Sequence, residues 1–84
     1  MKDEKVTVLF NILKRNIVKE LEIPLDISAN ELVNALNMAY DLEIEISDVK
    51  QCYLKSENPI ALLKGTKKLS EYGIRNGTVI YYTN

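Results

Sequence analysis

The stretch LSEYGIRNGTVIYY, residues 69–82, joins a punctuated turn to a run of strand-forming residues. Its first part favours a loop or a single helical turn, with Ser70 as a candidate N-cap. Asn76 and Gly77 tolerate positive φ angles and therefore suit the entry to a strand. The β-branched and aromatic residues that follow predict a strand over residues 78–82.

The composition is that of an ordinary soluble protein. With 84 residues, 46% hydrophobic and 27% charged, the chain is predicted to form a single domain, residues 1–84, held together by packing. Its one cysteine, Cys52, excludes an intramolecular disulfide and a four-cysteine zinc site. The N-terminus lacks the features of a signal peptide, and no segment approaches the roughly 18 apolar residues that cross a bilayer. We therefore expect a cytoplasmic protein without membrane insertion.

Two alternating runs near the N-terminus predict a β-hairpin. In VTVLFNI, residues 6–12, every second residue faces one apolar side, and the alternation resumes from Ile17 to Leu25 after the polar break LKRN. Pro24 has no amide hydrogen to donate to a neighbouring strand. The end of the second strand is therefore expected at an edge of the sheet or at its exit.

A change of period predicts one helix after the hairpin. Ser28 and Glu31 have the spacing of a capping box, in which each side chain binds the backbone amide of the other residue. The helix that follows should be about 13 residues long, and its apolar stripe needs a sheet to cover. The residues of that stripe are Leu32, Val33, Leu36, Ala39 and Tyr40.

The second half of the chain predicts short strands and connectors. Ile44, Ile46 and Val49, in the connector after the helix, are expected to tuck against the edge of the core. CYLKS (residues 52–56) and IALLKG (residues 60–65) predict short strands separated by a turn. The predicted order is β-β-α-β-β-β, which indicates an α+β domain with one helix packed across a mixed sheet.

The sequence offers few groups for catalysis. It contains no histidine, which removes the commonest general base and the commonest metal ligand. Cys52 has no candidate base nearby in sequence and is expected to be a buried structural thiol. The acidic residues between positions 41 and 48 lack the glycine and the ligand spacing of a calcium loop, and the glycines form no phosphate-binding loop. We therefore expect no enzymatic activity, cofactor, metal site or small-molecule substrate.

Function is instead expected to come from a surface, and the candidate is the face of the sheet that the single helix leaves uncovered. If Ile80 faces the helix, Val79 and Tyr81 lie on this open face. A mixture of aromatic, aliphatic and lysine side chains there would suit protein binding. The predicted protein-binding residues are Tyr53, Lys55, Lys64, Val79 and Tyr81. Scattered exposed apolar side chains without a function are the alternative.

Charge is unevenly distributed along the chain. Residues 1–49 carry five basic and ten acidic side chains, whereas residues 50–84 carry six basic and two acidic ones. A basic side that meets an acidic partner is one interpretation, and random scatter over a solvated surface is the other. The small number of basic residues and the sequence pI of about 5.4 argue against nucleic acid as the partner.

The opening stretch resembles the end of ubiquitin-like β-grasp domains, where a leucine, a Ser-Asp-Tyr-like turn and an isoleucine precede the last strand. The matching residues here are Leu69, Ser70, Glu71, Tyr72 and Ile74. The resemblance implies that Tyr72 closes a loop, and the order of elements is similar over nearly the whole chain. Within these domains the closer likeness is to the YukD/EsaB group, small ubiquitin-like proteins of bacterial type VII secretion systems. It rests on the run L-S-(D/E)-x-G-I-x-N-G, matched by residues 69–77.

The resemblance implies an accessory or regulatory protein of a type VII secretion system that binds a component of that system non-covalently. The sequence ends in YYTN without the glycine pair of covalent modifiers, so conjugation is not expected. One alternative is a covalent modifier or sulfur carrier with an atypical C-terminus. Another is a general scaffold that binds protein or RNA through the basic second half. The oligomeric state stays open, because exposed sheet edges could pair between molecules.

Overall fold

The computed structural model describes residues 4–83, which form a five-stranded sheet and one α-helix. The strands are β1 (Lys5–Ile12), β2 (Ile17–Pro24), β3 (Leu54–Glu57), β4 (Ala61–Leu63) and β5 (Val79–Tyr82). The helix α1 (Ala29–Tyr40) follows β2, and two short 3-10 turns span Leu13–Arg15 and Leu69–Tyr72. Residues 1–3 and 84, which the predicted domain includes, lie outside the described residues.

The sheet is mixed, as the sequence predicts. Its strand order is β2-β1-β5-β3-β4. Strands β1 and β5 run parallel, and the other neighbouring pairs are antiparallel. β2 is an edge strand that ends at Pro24. This confirms the expectation that the strand carrying this proline ends at an edge of the sheet or at its exit. The β-grasp arrangement predicted from the sequence is therefore confirmed.

The core lies between α1 and one face of the sheet. Val8, Phe10 and Ile12 alternate along β1 and are buried, and Ile80 of β5 joins them. The ring of Phe10 lies 5.4 Å from the ring of Tyr40 at the end of the helix. The buried residues of the helix are Ala29, Leu32, Val33 and Leu36. Ala39, which was predicted in the apolar stripe, is exposed.

Both ends of α1 are capped by side chains. At the N-terminus, Ser28 donates its amide to Glu31 Oε1 at 2.8 Å and accepts from the Glu31 amide at 3.1 Å, which confirms the predicted capping box. At the C-terminus, the Arg15 guanidinium donates to the carbonyl oxygens of Tyr40 and Asp41, at 2.6 Å each. These carbonyls have no partner within the helix, so Arg15 satisfies them from the β1–β2 turn.

The connector after α1 only partly follows the expectation that its apolar residues pack on the core. Ile44 is buried, and the Asn37 side-chain amide binds both its N–H and its C=O, at 2.9 and 3.1 Å. Ile46 is 37% exposed and Val49 is 82% exposed. The prediction is therefore wrong for both Ile46 and Val49. A tight turn around Asp48, whose carbonyl accepts from the Cys52 amide at 3.0 Å, directs the Val49 side chain away from the core.

The loop before β5 is closed by Tyr72, as the resemblance implies. Its hydroxyl donates to the Lys64 carbonyl at 2.7 Å and accepts from the Lys64 amide at 3.3 Å. Ser70 makes no side-chain cap, so that prediction is wrong, and Lys68 occupies the N-cap position. The amide of Gly73, three residues after Ser70, is bonded to the Ser70 carbonyl oxygen at 3.2 Å instead of the Ser70 side chain.

Candidate functional site

The open face is the side of the sheet opposite α1. Because paired residues of neighbouring strands share a face, the strand register places Asn11, Tyr81, Lys55 and Leu62 side by side on β1, β5, β3 and β4. A second row, two residues along, contains Leu9, Val79 and Glu57. Lys55, Leu9 and Leu62 are exposed, and Val79 and Tyr81 are half-buried.

The final strand divides its side chains between the two faces as predicted. Ile80 is buried in the core, and Tyr82 packs against it and donates its hydroxyl to the Leu42 carbonyl at 3.2 Å. Val79 and Tyr81 alternate with these residues and are directed to the open face. The aromatic and aliphatic part of the candidate surface is therefore placed on one face of the sheet.

Beside the open face lies a groove of about 610 Å³. It is formed where the connector after α1 approaches the ends of β3 and β4. Ile46 and Val49 of the connector and Leu62 of β4 line the same space. The residues that line the groove are Asn30, Ile46, Val49, Lys50, Cys52, Tyr53, Leu62, Lys64 and Gly65.

Part of the groove lining is fixed by hydrogen bonds to one side chain of the helix. Asn30 Oδ1 accepts from the Gly65 amide at 3.0 Å and from the Cys52 thiol at 3.6 Å. Cys52 is buried, as predicted, although it precedes β3 rather than lying within a strand. Burial raises the pKa of the Cys52 thiol above its ordinary value, so the group stays protonated and is a poor nucleophile.

The charged side chains that line the groove are both basic. Lys50 enters from the connector and Lys64 from the end of β4, and no carboxylate is among the lining residues. The Asp48 carboxylate, next to the groove, accepts from the Lys50 amide at 2.9 Å and from Gln51 Nε2 at 3.1 Å. Part of the basic character of the second half of the chain is thus concentrated at one site.

The predicted binding residues fall into two adjoining groups. Lys55, Val79 and Tyr81 lie on the open face, whereas Tyr53 and Lys64 line the groove. Leu62 pairs with Lys55 and also lines the groove, so it connects the two groups.

Four aliphatic or charged residues of the groove were missed as binding candidates by sequence reasoning: Ile46, Val49, Lys50 and Leu62. The first two were expected to pack on the core. Leu62 stands in an apolar run between Ala61 and Leu63, and the alternation along that run was the available signal, because Leu63 is buried and Leu62 is exposed.

Residues 4–83 contain neither a metal-binding cluster nor a membrane-spanning helix. Within that range, no three His, Cys, Asp or Glu side chains are grouped so that they could hold a metal ion. The helix of the described chain is too short and too polar to cross a membrane.

Two solved structures are similar to the chain in fold. The C-terminal ubiquitin-like domain of mouse tubulin-specific chaperone e superposes with a TM-score of 0.72 at 13% identity, covering 96% of this chain and 87% of that one. The UBL domain of Plasmodium falciparum Dsk2 superposes with a TM-score of 0.61 at 18% identity, covering 93% of this chain and 97% of that one. Both likenesses show that the fold is ubiquitin-like.

Sequence comparison identifies the family. No curated protein matches the chain. The family model described as "WXG100 protein secretion system (Wss), protein YukD" matches residues 5–81, which is nearly the whole described fold. The chain therefore belongs to the YukD family of ubiquitin-like proteins.

Proposed function

We propose that this protein is a cytoplasmic accessory or regulatory component of a bacterial type VII secretion system and acts by non-covalent protein binding. The observation that carries the proposal is the YukD family match over residues 5–81, since that family is described by its secretion system. The protein catalyses no reaction in this role. It works by occupying or organising a surface of another component.

The proposed binding surface consists of Tyr53, Lys55, Lys64, Val79 and Tyr81. Tyr81 and Val79 supply aromatic and aliphatic area that is already half-buried by neighbouring strands, so little side-chain freedom is lost on binding. The exposed Lys55 lies between Tyr81 and Leu62, and the exposed Lys64 lines the groove, so the surface presents two ammonium groups among apolar side chains. The proposed partner surface therefore combines apolar side chains with acidic ones.

The test is native affinity purification of the tagged protein from the bacterium that encodes it. We expect a component of the secretion machinery to co-purify, and we expect secretion of its substrates to change when the gene is deleted. The double substitution Lys55→Glu and Tyr81→Ala should abolish co-purification while the circular dichroism spectrum remains that of the folded protein. Recovery of no secretion component, together with normal secretion in the deletion strain, would overturn the proposed function.

A matched control is available outside the open face. Lys19 of β2 pairs with the buried Phe10, and Met38 lies on α1; both side chains are exposed. The double substitution Lys19→Glu and Met38→Ala makes the same change in net charge and truncates one large exposed side chain. This variant should co-purify with the partner as well as the unsubstituted protein does. Equal loss in both variants would mean that the open face is not the binding surface.

Non-covalent action has its own test. Intact-mass spectrometry of the protein recovered from cells should give the mass of the encoded chain. Mass increments equal to another protein, or to a thiocarboxylate, would instead support a covalent modifier or a sulfur carrier.

A further inference from the structure

Exposed aliphatic side chains are concentrated at the groove. Of the eight large hydrophobic residues that are exposed in the described chain, three line this one space: Ile46 (37%), Val49 (82%) and Leu62 (43%). The half-buried ring of Tyr53 adds an aromatic surface to the same wall. Water in contact with such a cluster is released when an apolar side chain fills the space, and this release favours binding.

We propose that the groove binds a short segment of a partner protein that carries apolar side chains flanked by acidic ones. The apolar side chains would lie between Val49 and Leu62, and the acidic ones would reach the ammonium groups of Lys50 and Lys64. The inference rests on the proposed function in taking protein binding as the mode of action. It adds the chemistry of the segment that is recognised.

The choice of an acidic segment follows from charge complementarity. Lys50 and Lys64 are the charged residues that line the groove, and the nearby carboxylate of Asp48 is engaged with the Lys50 amide and Gln51. Carboxylates on the ligand would meet the two positive charges of Lys50 and Lys64 beside an apolar surface. Such pairs increase the rate of association and select against basic ligands.

The choice of a polypeptide rather than a nucleic acid follows from the side chains that line the groove. A single strand of RNA needs a basic track along its phosphates and aromatic platforms for successive bases. The groove supplies two lysines, one tyrosine and aliphatic side chains, and the protein has a net charge of −1. These features favour a peptide with leucine-like side chains over the phosphates of a nucleic acid.

The groove is also held in shape before any ligand arrives. Asn30 ties Gly65 and Cys52 together, and the Tyr72 hydroxyl bonds to both backbone groups of Lys64. The backbone that carries Lys64 is therefore fixed from two sides. A preformed site loses less conformational entropy on binding than a mobile one.

The experiment is a selection of short random peptides displayed on phage against the intact protein, followed by fluorescence-polarisation titrations with the enriched peptides. We expect the enriched sequences to combine Leu, Ile or Phe with adjacent Asp or Glu. Leu62→Asp, and separately the pair Lys50→Glu and Lys64→Glu, should weaken their binding by about tenfold or more. Added NaCl should weaken binding to the unsubstituted protein, since salt screens the rim charges.

Matched controls lie on the hairpin. Val18→Asp places the same new charge on an exposed apolar position, and the pair Lys5→Glu and Lys19→Glu makes the same change in net charge. Both should leave the affinity unchanged. A peptide in which Asp and Glu are replaced by Lys should bind the Lys50→Glu and Lys64→Glu variant better than it binds the unsubstituted protein. Simple loss of folding would not produce this exchange of preference.

Several results would overturn the inference. These are no enrichment, enrichment of basic peptides, and peptides that bind the groove variants as tightly as the unsubstituted protein. Groove-dependent binding of a single-stranded RNA oligonucleotide that displaces the peptides would overturn it too. So would a dimer in sedimentation that Leu62→Asp dissociates. If Leu62→Asp unfolds the protein, Val49→Asp carries the same test, because Val49 is 82% exposed.

The outcomes are separable from those of the proposed function. Loss of the peptide result with continued co-purification of a secretion component would overturn only the groove inference. A peptide ligand of the expected chemistry without any link to secretion would overturn only the proposed function.

Discussion

The two faces of the sheet are built from the same strands and differ in what their side chains do. Phe10 and Ile80 are buried beneath the helix, whereas their neighbours Leu9 and Val79 lie on the open face. A shift of one residue along a strand therefore moves a side chain from the core to the candidate binding surface. Because residues 4–83 form one α-helix to cover two faces, apolar residues on the second face contribute little to folding and remain available to contact a partner.

Substitutions on the two faces should therefore alter different properties, stability on one and binding on the other. Residues of the covered face and of the loops that anchor it should change the free energy of unfolding. Residues of the open face and the groove should change affinity at nearly constant stability. Four predictions test this division, in order of decreasing expected effect.

The largest effect is expected from a substitution in the covered face. Phe10→Ala should lower the free energy of unfolding by about 3–5 kcal/mol, because it removes a buried ring and leaves a cavity. Leu9→Ala, one residue away and 39% exposed, should cost less than about 1 kcal/mol. Urea denaturation of both variants measures the difference. Similar losses of unfolding free energy in both variants would contradict the division between a stabilising face and a binding face.

A smaller effect is expected from a buried hydroxyl. Thr78 is buried, donates its hydroxyl to the Asn58 carbonyl at 2.8 Å and accepts from the Arg75 amide at 3.0 Å. Thr78→Val keeps the shape but leaves both backbone groups unpaired, so stability should fall by about 1–3 kcal/mol. Thr7→Val, the same change on the open face, is the control and should stay within about 0.5 kcal/mol. Thermal unfolding of the two variants measures the difference. An equal shift of the unfolding midpoint in both would contradict a stabilising role for the Thr78 hydroxyl.

The anchoring of the helix that covers the core should contribute less still. Arg15→Ala removes two hydrogen bonds to the last carbonyls of α1 and should destabilise the fold by about 1 kcal/mol. Lys14→Ala removes an exposed cation beside it and should be nearly neutral. Hydrogen exchange of the last helical amides is the sharper measurement. Unchanged exchange in the Arg15 variant would show that this contact does not hold the helix end.

The smallest effect concerns pH. Burial raises the pKa of the Cys52 thiol above its ordinary value of 9.0, so the folded protein retains the proton that the unfolded chain releases. This group therefore contributes stability below pH 9.0 that is lost as the pH rises through the higher folded pKa. Iodoacetamide should alkylate Cys52 slowly in the native protein and faster in urea. Equal rates would mean that the thiol is not held in its buried, protonated form.

Much of the fold could be predicted because its signals are local. The alternation of β1, the capping box of Ser28 and Glu31, and the proline at the end of β2 each depend on residues a few positions apart. The candidate site was predicted only in part. Val79 and Tyr81 follow from alternation along one strand, whereas Val49 was misplaced because a turn around Asp48 sets its direction.

The order of the elements, the faces of the long strands and the start of the helix follow from local sequence, since neighbouring side chains and backbone groups decide these. Which distant segments meet depends on how the whole chain packs. Arg15 reaches the end of α1, Tyr82 bonds to Leu42, and the connector comes to lie opposite β4. These contacts depend on how the helix and the loops pack on the sheet, and short-range patterns of the sequence do not predict that packing. The open face is thus a consequence of strand periodicity, whereas the groove beside it exists only in the folded chain.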